Sequence, residues 1–299
     1  MTSTPPIVLS ASRRTDIPAF YMPWFMENID RGYFEVENPF NRRPYRVAAH
    51  PEQVHSIVFW SKDYSPFLAA EFDRRLEQRG YHLFFHFTLN SQQPLLEPGV
   101  PPLEARLNQL RRLCHRHDPR AVTWRFDPIC HLLDAVDPAG HIETNLADFT
   151  TIAREAAALG IERCVTSFFD DYAKVRRRTR RQGSIRFWQP PLKEKIAILE
   201  HLQGVLQPLG MTLSTCSEKE LLAALPATSP IQKSACIPHD ILVDLFGGAL
   251  PGTPDLGQRR QRGCGCHTSR DIGAYRQQPC RHNCLYCYAS PAGEPDNAQ

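Results

Sequence analysis

The feature that most limits the fold of this chain is a regular alternation of short apolar runs with longer helical segments. Six runs have strand length and are rich in β-branched and aromatic residues; they lie at 7–10, 56–60, 82–88, 121–126, 164–169 and 211–215. Five segments between them carry helical periodicity; they lie at 20–31, 66–79, 102–116, 142–159 and 191–206. Strands that alternate with helices pair in parallel, because each helix returns the chain to the same end of the sheet. The pattern predicts an α/β fold, as an open doubly wound sheet or as a full or partial (β/α) barrel.

The chain length predicts one large domain or two small ones. It has 299 residues, of which 42% are hydrophobic, and this is enough to bury a sizeable core. From residue 216 onward, glycine and proline pairs such as Gly247-Gly248 and Pro251-Gly252 interrupt helical patterns. We therefore expect a barrel domain over 1–215, a cysteine-rich annex over 216–289 and a disordered tail over 290–299.

Polar and charged residues follow the predicted strands. Arg13 comes after the first strand, Lys62 after the second, and Arg125 and Asp127 stand at the end of the fourth. Because the carboxyl ends of parallel strands meet at one edge, and barrels of this kind carry their sites there, these residues are candidates to line one pocket.

Ten cysteines indicate metal binding rather than disulfides, because the first residues lack the features of a signal peptide. We therefore expect a cytoplasmic protein, and no apolar run is long enough to predict a membrane span. Three scattered cysteines, Cys114, Cys130 and Cys164, are expected to be buried apolar residues. The other seven are candidate metal ligands: Cys216, Cys236, Cys264, Cys266, Cys280, Cys284 and Cys287.

The last three cysteines stand in the sequence CRHNCLYCYA, over 280–289. Their C-x3-C-x2-C spacing, with Tyr286 just before the final cysteine, differs from the paired C-x-x-C units common in zinc sites. Three thiolates on a cubane cluster leave one iron without a protein ligand, so that iron can bind a substrate or a cofactor.

This motif resembles that of the radical S-adenosylmethionine superfamily, in the version found in spore-photoproduct-lyase-like proteins. The resemblance implies a six-strand partial (β/α) barrel, a [4Fe-4S] cluster, S-adenosyl-L-methionine and a reductase or ferredoxin-type electron donor. It also implies that Tyr286 and Tyr288 pack around the cluster. In the superfamily the motif follows the first strand, whereas here it follows the last one. The residues expected to contact cofactor or substrate are Arg13, Lys62, Arg125 and Asp127.

Segments along nearly the whole chain resemble an uncharacterised bacterial family known as domain of unknown function number 1848. The resemblance rests on SASRRTDIP at 10–18, VFWSKD at 58–63, WRFDPI at 124–129, CGC at 264–266 and DIG at 271–273. It supports the fold and the choice of segments, and it implies no substrate.

The remaining clustered cysteines, Cys216, Cys236, Cys264 and Cys266, form a second candidate metal set. Four thiolates suit a second, closed [4Fe-4S] cluster or a structural zinc. In the alternative, Cys216 or Cys236 is a buried thiol, and His267 or His282 completes a zinc site. A cluster here would relay electrons or attach the annex to the barrel.

A basic run at 174–181 holds six basic residues in eight. It indicates a phosphate-bearing substrate, nucleic acid or a solvated loop, although the net charge of +3 is too balanced to indicate nucleic acid by itself. Two classes of function therefore remain open. The first is a radical enzyme of unknown substrate, and the second is a non-catalytic iron-sulfur or zinc protein that binds nucleic acid or a redox partner.

Overall fold

The computed structural model describes residues 5–38, 41–134, 141–180 and 185–289, so the predicted tail at 290–299 and Arg181 lie outside the described residues. The strands are, in chain order, β1 Ile7–Ala11, β2 Tyr33–Glu37, β3 Pro44–Ala48, β4 Val54–Ser61, β5 Leu83–Thr88, β6 Val122–Ile129, β7 His131–Asp134, β8 Ile142–Thr144, β9 Arg163–Phe168, β10 Ile185–Trp188, β11 Thr212–Thr215, β12 Gln232–Lys233 and β13 Arg270–Asp271. The helices are α1 Ile17–Phe20, α2 Met22–Arg31, α3 Ser65–Ala69, α4 Phe72–Glu77, α5 Leu103–Arg116, α6 Phe149–Ala158, α7 Ala173–Thr179, α8 Leu192–Leu206, α9 Lys219–Ala224 and α10 His239–Phe246. None of these helices is long and apolar enough to cross a membrane.

The core of the fold is an eight-stranded sheet in the order β12-β11-β9-β6-β5-β4-β1-β13, with every neighbouring pair parallel. The six predicted strands correspond to β1, β4, β5, β6, β9 and β11, which lie side by side in chain order. The prediction of a parallel α/β fold is therefore confirmed. The cysteine-rich region adds β12 at one edge and β13 at the other. Within the described ranges no pairing joins those two edges, so the sheet is open.

The two faces of the sheet have different coverings. Along β4, Ile57 and Phe59 pack into the core formed with the crossover helices. The alternate residues Val58 and Trp60 pack on the other face, against α10 and the buried segment that holds Cys236. Since neighbouring side chains of a strand point to opposite faces, helices cover one face and the C-terminal region covers the other.

Several local predictions were wrong. The helix expected over 66–79 is divided into α3 and α4, because Glu71 has a left-handed backbone with φ of 51°. The start of the helix expected over 142–159 is the strand β8, which pairs antiparallel with β7. β7 also pairs with β10, and β2 pairs with β3 in a separate hairpin; the apolar pattern predicted neither arrangement.

Candidate functional site

A cavity of about 650 Å³ opens at the carboxyl edge of the eight-stranded sheet. Residues that follow β1, β4, β9, β11 and β12 line it, together with residues near the end of β6 and the segment 280–289. Every site residue predicted from the sequence lies on its wall: Arg13, Lys62, Arg125, Asp127, Cys216, Cys236, Cys264, Cys266, Cys280, Cys284, Tyr286, Cys287 and Tyr288. The C-terminal motif therefore reaches the same edge as the residues after the first strand.

The three-cysteine loop, residues 280–287, is held by the turn at 96–99. The Leu285 amide donates to the Leu96 carbonyl at 2.8 Å, and the Gly99 amide donates to the His282 carbonyl at 3.0 Å. Gly99 fits because it has no side chain: a β-carbon there would lie 2.7 Å from the Arg281 carbonyl oxygen. The turn therefore fixes the main chain of the loop.

His282, inside this loop, contacts an acceptor with each ring nitrogen. Its Nδ1 lies 3.0 Å from the Gly99 carbonyl oxygen, and its Nε2 lies 2.8 Å from Asp16 Oδ2. Burial opposes the imidazolium charge, but the hydrogen bond and the attraction to Asp16 raise the pKa of His282 above its ordinary value. Asp16 also accepts from the Ser61 hydroxyl at 2.7 Å and the Lys62 amide at 2.9 Å. Asp16 therefore ties the cysteine loop to the end of β4.

Beneath the loop lies a buried polar network centred on Glu97. Lys62 Nζ lies 2.7 Å from Glu97 Oε1, and the Tyr286 hydroxyl donates to the same oxygen. Asn90 Nδ2 donates to Glu97 at 2.9 Å and to the Tyr286 hydroxyl at 3.1 Å. Burial opposes the Lys62 charge, yet Glu97 raises the pKa of Lys62. Lys62 is therefore a charged group whose counter-ion lies within the protein.

The loop after β1 is fixed by Asp271, on β13. Its carboxylate accepts from the Ser10 and Ser12 hydroxyls and from the Arg13 amide, each at 2.8 Å. The Arg13 carbonyl in turn accepts from the Tyr288 hydroxyl at 2.7 Å. The loop after β1, the strand β13 and Tyr288 therefore meet at this corner of the cavity.

The basic run contains one residue with a direct structural role in the site. Arg178, on α7, donates from Nη1 to the carbonyls of Cys284 at 2.8 Å and Leu285 at 2.9 Å. Its Nη2 donates to the Cys287 carbonyl at 3.2 Å. The neighbours Arg177 and Arg180 are exposed. At least one arginine of the run thus supports the cysteine loop.

The four-cysteine set, Cys216, Cys236, Cys264 and Cys266, forms a chain of sulfur contacts. The sulfurs of Cys216 and Cys236 are 4.0 Å apart, and the Cys236 amide donates to Cys266 Sγ at 3.2 Å. A hydrogen bond with the Cys266 thiol lowers the pKa of Cys264 to about 7, and the contact with Cys236 raises the pKa of Cys216 well above its ordinary value. This set therefore contains one thiol that is acidic enough to ionise near neutral pH.

Two arginines lie against this set. Arg125 Nη1 donates to Cys236 Sγ at 3.0 Å, and Nη2 pairs with Asp127. Burial opposes the charge of Arg125, but the attraction of Cys236 and Asp127 raises its pKa well above the ordinary value. Arg13 is likewise attracted to Cys266, Asp271 and Cys236, and its pKa is raised against the effect of burial. Two cationic side chains therefore lie next to the thiols of this set.

The thiols of the three-cysteine loop have a different environment. Burial raises the pKa of Cys280 to about 12 and raises that of Cys284 well above its ordinary value. Among the described residues, no three histidine, cysteine, aspartate or glutamate side chains form a group that could hold a single metal ion. Of the three scattered cysteines, Cys130 and Cys164 are fully buried, as predicted, whereas Cys114 on α5 is only partly buried.

The two histidines of the zinc alternative have other contacts. Both ring nitrogens of His282 face oxygen acceptors, as described above. The His267 ring stacks on His239 with centroids 4.8 Å apart, and its Nδ1 accepts from the His239 amide at 3.2 Å. The contacts of both ring nitrogens therefore disfavour His282 as the fourth ligand.

Sequence reasoning did not assign a role to Glu97, Gly99, Asp271 or Arg178. Asp271 lies in the DIG segment that carried the family resemblance, so a signal existed for it. Glu97 and Gly99 stand in the ordinary loop sequence LEPG, and each contacts a residue of the distant segment 281–286. Only the folded structure brings these positions together.

A family described as Domain of unknown function (DUF1848) matches residues 8–289, from β1 to the last described residue of the cysteine-rich region. This chain belongs to that family. The family membership predicted from the resemblance of sequence segments is therefore confirmed. No curated protein matches the chain.

Proposed function

We propose that this DUF1848 protein is an iron-sulfur enzyme of the radical S-adenosylmethionine type. In this proposal Cys280, Cys284 and Cys287 hold a [4Fe-4S] cluster beside bound S-adenosyl-L-methionine. The observation that carries the proposal is the position of the C-x3-C-x2-C loop, whose three cysteines line one cavity at the carboxyl edge of the parallel sheet. Sites of α/β proteins lie at this edge.

The chemistry of the residues fits a cluster better than a single ion. A cubane binds each thiolate through a different iron, so its ligands need not converge on one point. The three cysteines line one cavity, as the ligands of such a cluster would. Burial raises the pKa of Cys284 well above its ordinary value, and the positive charge of Lys62 opposes part of that rise. Metal binding would have to supply the rest of the stabilisation of the thiolate.

A cluster here supplies the electron for reductive cleavage of a carbon-sulfur bond in S-adenosyl-L-methionine. The chain's own residues position the reactants and keep water out. Tyr286, buried on the Glu97 network, covers the base of the loop. Asp127 and Lys62 offer charged atoms on the cavity wall for a cofactor or substrate. The substrate class we propose carries phosphate, because the basic helix α7 begins directly after Tyr172, which lines the cavity.

The remaining parts of the proposal concern architecture and surroundings. Strands in chain order with helices on one face suit a six-strand partial TIM-type barrel over 1–215, with residues 216–289 as an iron-sulfur annex. We also propose a cytoplasmic location, where thiols remain reduced, and a reductase or ferredoxin-type protein as the electron donor.

A second candidate function is a non-catalytic iron-sulfur or zinc protein that binds nucleic acid or a redox partner. The observation that favours it is the four-cysteine set, in which the Cys216 and Cys236 sulfurs are 4.0 Å apart and the Cys236 amide donates to the Cys266 sulfur. The exposed arginines of α7 supply charge for either partner.

The deciding experiment uses the full chain, purified and reconstituted without oxygen. Iron, sulfide and zinc are measured first, followed by dithionite-dependent release of 5′-deoxyadenosine from S-adenosyl-L-methionine. We expect iron and product in the parent chain. We expect no product after Cys280→Ala, Cys284→Ala or Cys287→Ala, and unchanged product after Cys114→Ala on α5. Clusters that are reduced without product would favour the second function, and zinc without iron would exclude both cluster assignments.

A further inference from the structure

We propose that Arg13 and Arg125 are counter-ions of a [4Fe-4S] cluster held by the four-cysteine set, and that they raise its reduction potential. The inference rests on the proposed function for the identity of the metal group. It gives these arginines a role different from substrate contact. They are tuning residues, because they act on the thiol ligands.

Arg125 makes the most direct contact. It extends from β6, is only 6% exposed, and donates to Cys236 Sγ at 3.0 Å. Its other terminal nitrogen, Nη2, pairs with Asp127, so both terminal nitrogens of the guanidinium have an acceptor. A hydrogen bond from a cation to a ligand sulfur withdraws charge from the cluster and favours its reduced form.

Arg13 approaches the same set from the end of β1, on the sheet face where Trp60 and Cys236 pack. Its guanidinium lies 5.4 Å from the Trp60 ring centroid, and Trp60 stacks on His86 with centroids 5.0 Å apart. His86 Nε2 lies 2.7 Å from the Cys236 carbonyl oxygen. The Arg13 guanidinium packs on this stack, where it is attracted to the thiols of Cys266 and Cys236.

One atom of Arg13 points to a further anionic neighbour. Nη2 is buried and has no hydrogen-bond partner. A buried guanidinium donor without an acceptor is costly, and sulfide or thiolate sulfur beside Cys266 is an acceptor of the required charge. The unpartnered donor supports an anionic group at the four-cysteine set.

The two guanidinium groups offset part of the negative charge of the site. Four thiolates around a dicationic metal group leave two negative charges, and Asp127 and Asp271 place two carboxylates beside the arginines. A zinc ion would leave the same charge, but zinc has no redox chemistry.

This arrangement has a functional consequence. The set shares the cavity wall with the three-cysteine loop, so a reducible cluster here lies beside the cluster of the proposed function. Because reduction adds a negative charge, the two arginines make the four-cysteine set an electron acceptor. Its role is then electron relay, which a structural zinc could not perform.

The test uses the Cys280→Ala/Cys284→Ala/Cys287→Ala chain, in which only the four-cysteine set remains. After anaerobic reconstitution, iron and sulfide are measured, and the cluster is titrated against poised potentials by electron paramagnetic resonance. We expect iron and sulfide to be retained in this background. We expect Arg125→Gln to lower the reduced-to-oxidised ratio at the parent midpoint by about tenfold, the effect of one lost charge-assisted hydrogen bond. Arg13→Gln should act in the same direction, and Arg125→Lys should recover part of the loss.

The matched control is Arg154→Gln, which removes one exposed arginine from α6 and should leave the potential unchanged. Loss of the cluster in Arg125→Gln, with retention at a lowered potential in Arg125→Lys, also supports the proposal. An unchanged potential in every arginine variant would overturn it, and so would zinc alone in the parent background. This test does not depend on 5′-deoxyadenosine, so failure of the radical chemistry and failure of this inference give different results.

Discussion

The two sets of cysteines differ in how the chain brings their thiols together. The three-cysteine loop comes from one continuous stretch, residues 280–287. The four-cysteine set comes from three separate segments that follow β11, follow β12 and precede β13. One set is therefore local in sequence, and the other depends on the fold.

The supports of the two sets differ in the opposite sense. The four-cysteine set continues the hydrogen bonding of the sheet: the Cys216 amide donates to the Thr166 carbonyl, and the Ser234 amide donates to the Thr215 carbonyl, each at 2.9 Å. The three-cysteine loop lies outside the sheet and is held by the turn at 96–99 and by Arg178. The three-cysteine loop is therefore the set that the sequence indicates more clearly, yet the sheet supports it less directly than it supports the four-cysteine set.

The electrostatic contrast predicts a large difference in thiol reactivity in the reduced, metal-free chain. Cys264 has a pKa of about 7 and Cys280 a pKa of about 12. As pH rises through 7, Cys264 becomes a thiolate, whereas Cys280 stays protonated until much higher pH. At pH 8 we expect Cys264 to be alkylated about a hundredfold faster, after allowance for the lower nucleophilicity of the more acidic thiol. Iodoacetamide labelling followed by peptide mass spectrometry measures both rates.

In that experiment Cys264→Ser provides the control, because it should remove the fast phase and leave the slow one. The rate at Cys264 should fall below pH 7. Faster labelling within residues 280–287 than at Cys264 would contradict the contrast between the sets.

Gly265→Ala should damage the four-cysteine set selectively. A β-carbon at this position would lie 2.5 Å from the Ser234 carbonyl oxygen, so the backbone between Cys264 and Cys266 must move. We expect a loss of about 3 kcal/mol in the free energy of unfolding. Urea unfolding of the metal-free chain measures the loss, and iron analysis should show that the three-cysteine loop keeps its metal. Loss of iron from both sets together would show that they form one unit.

Gly99→Ala is the matching change for the three-cysteine loop. The added β-carbon would lie 2.8 Å from the His282 carbonyl oxygen. We expect a loss of about 2 kcal/mol in unfolding free energy and loss of 5′-deoxyadenosine formation, with metal retained by the four-cysteine set. Gly204→Ala on α8 is the control, because nothing lies within 4 Å of its added β-carbon. That control should unfold at an equal or higher urea concentration, since alanine favours a helix more than glycine does.

The sequence predicted the central sheet well, because buried parallel strands are continuous apolar runs and all six runs are strands. It did not predict the break between α3 and α4, since Glu71 gives no compositional sign of its left-handed backbone. Nor did it predict β8, whose three residues form a strand only because β7 lies beside them. Local pattern fails where a partner strand or a single dihedral angle decides the structure.

For the site, strand ends and cysteine spacing indicated which residues line the cavity. The pairings among them were not predictable. Lys62 is paired with Glu97, and Arg125 contacts Cys236. Each pair joins residues distant in sequence, so only the sheet topology brings them into contact. Residue type and strand position therefore predicted location, whereas charge compensation required the structure.

Arg178→Gln should give the smallest loss of stability of the three test substitutions. The substitution removes hydrogen bonds to the carbonyls of Cys284, Leu285 and Cys287 without creating a cavity in the core. We expect a loss of about 1.5 kcal/mol in unfolding free energy. Hydrogen exchange should also become faster at the amides of 284–287, while exchange around Cys216 and Cys236 stays unchanged. Arg177→Gln, at an exposed position on the same helix, is the control and should change neither quantity. Equal exchange in the two variants would mean that Arg178 does not hold the three-cysteine loop. The turn at 96–99 would then be the support that distinguishes this loop from the four-cysteine set.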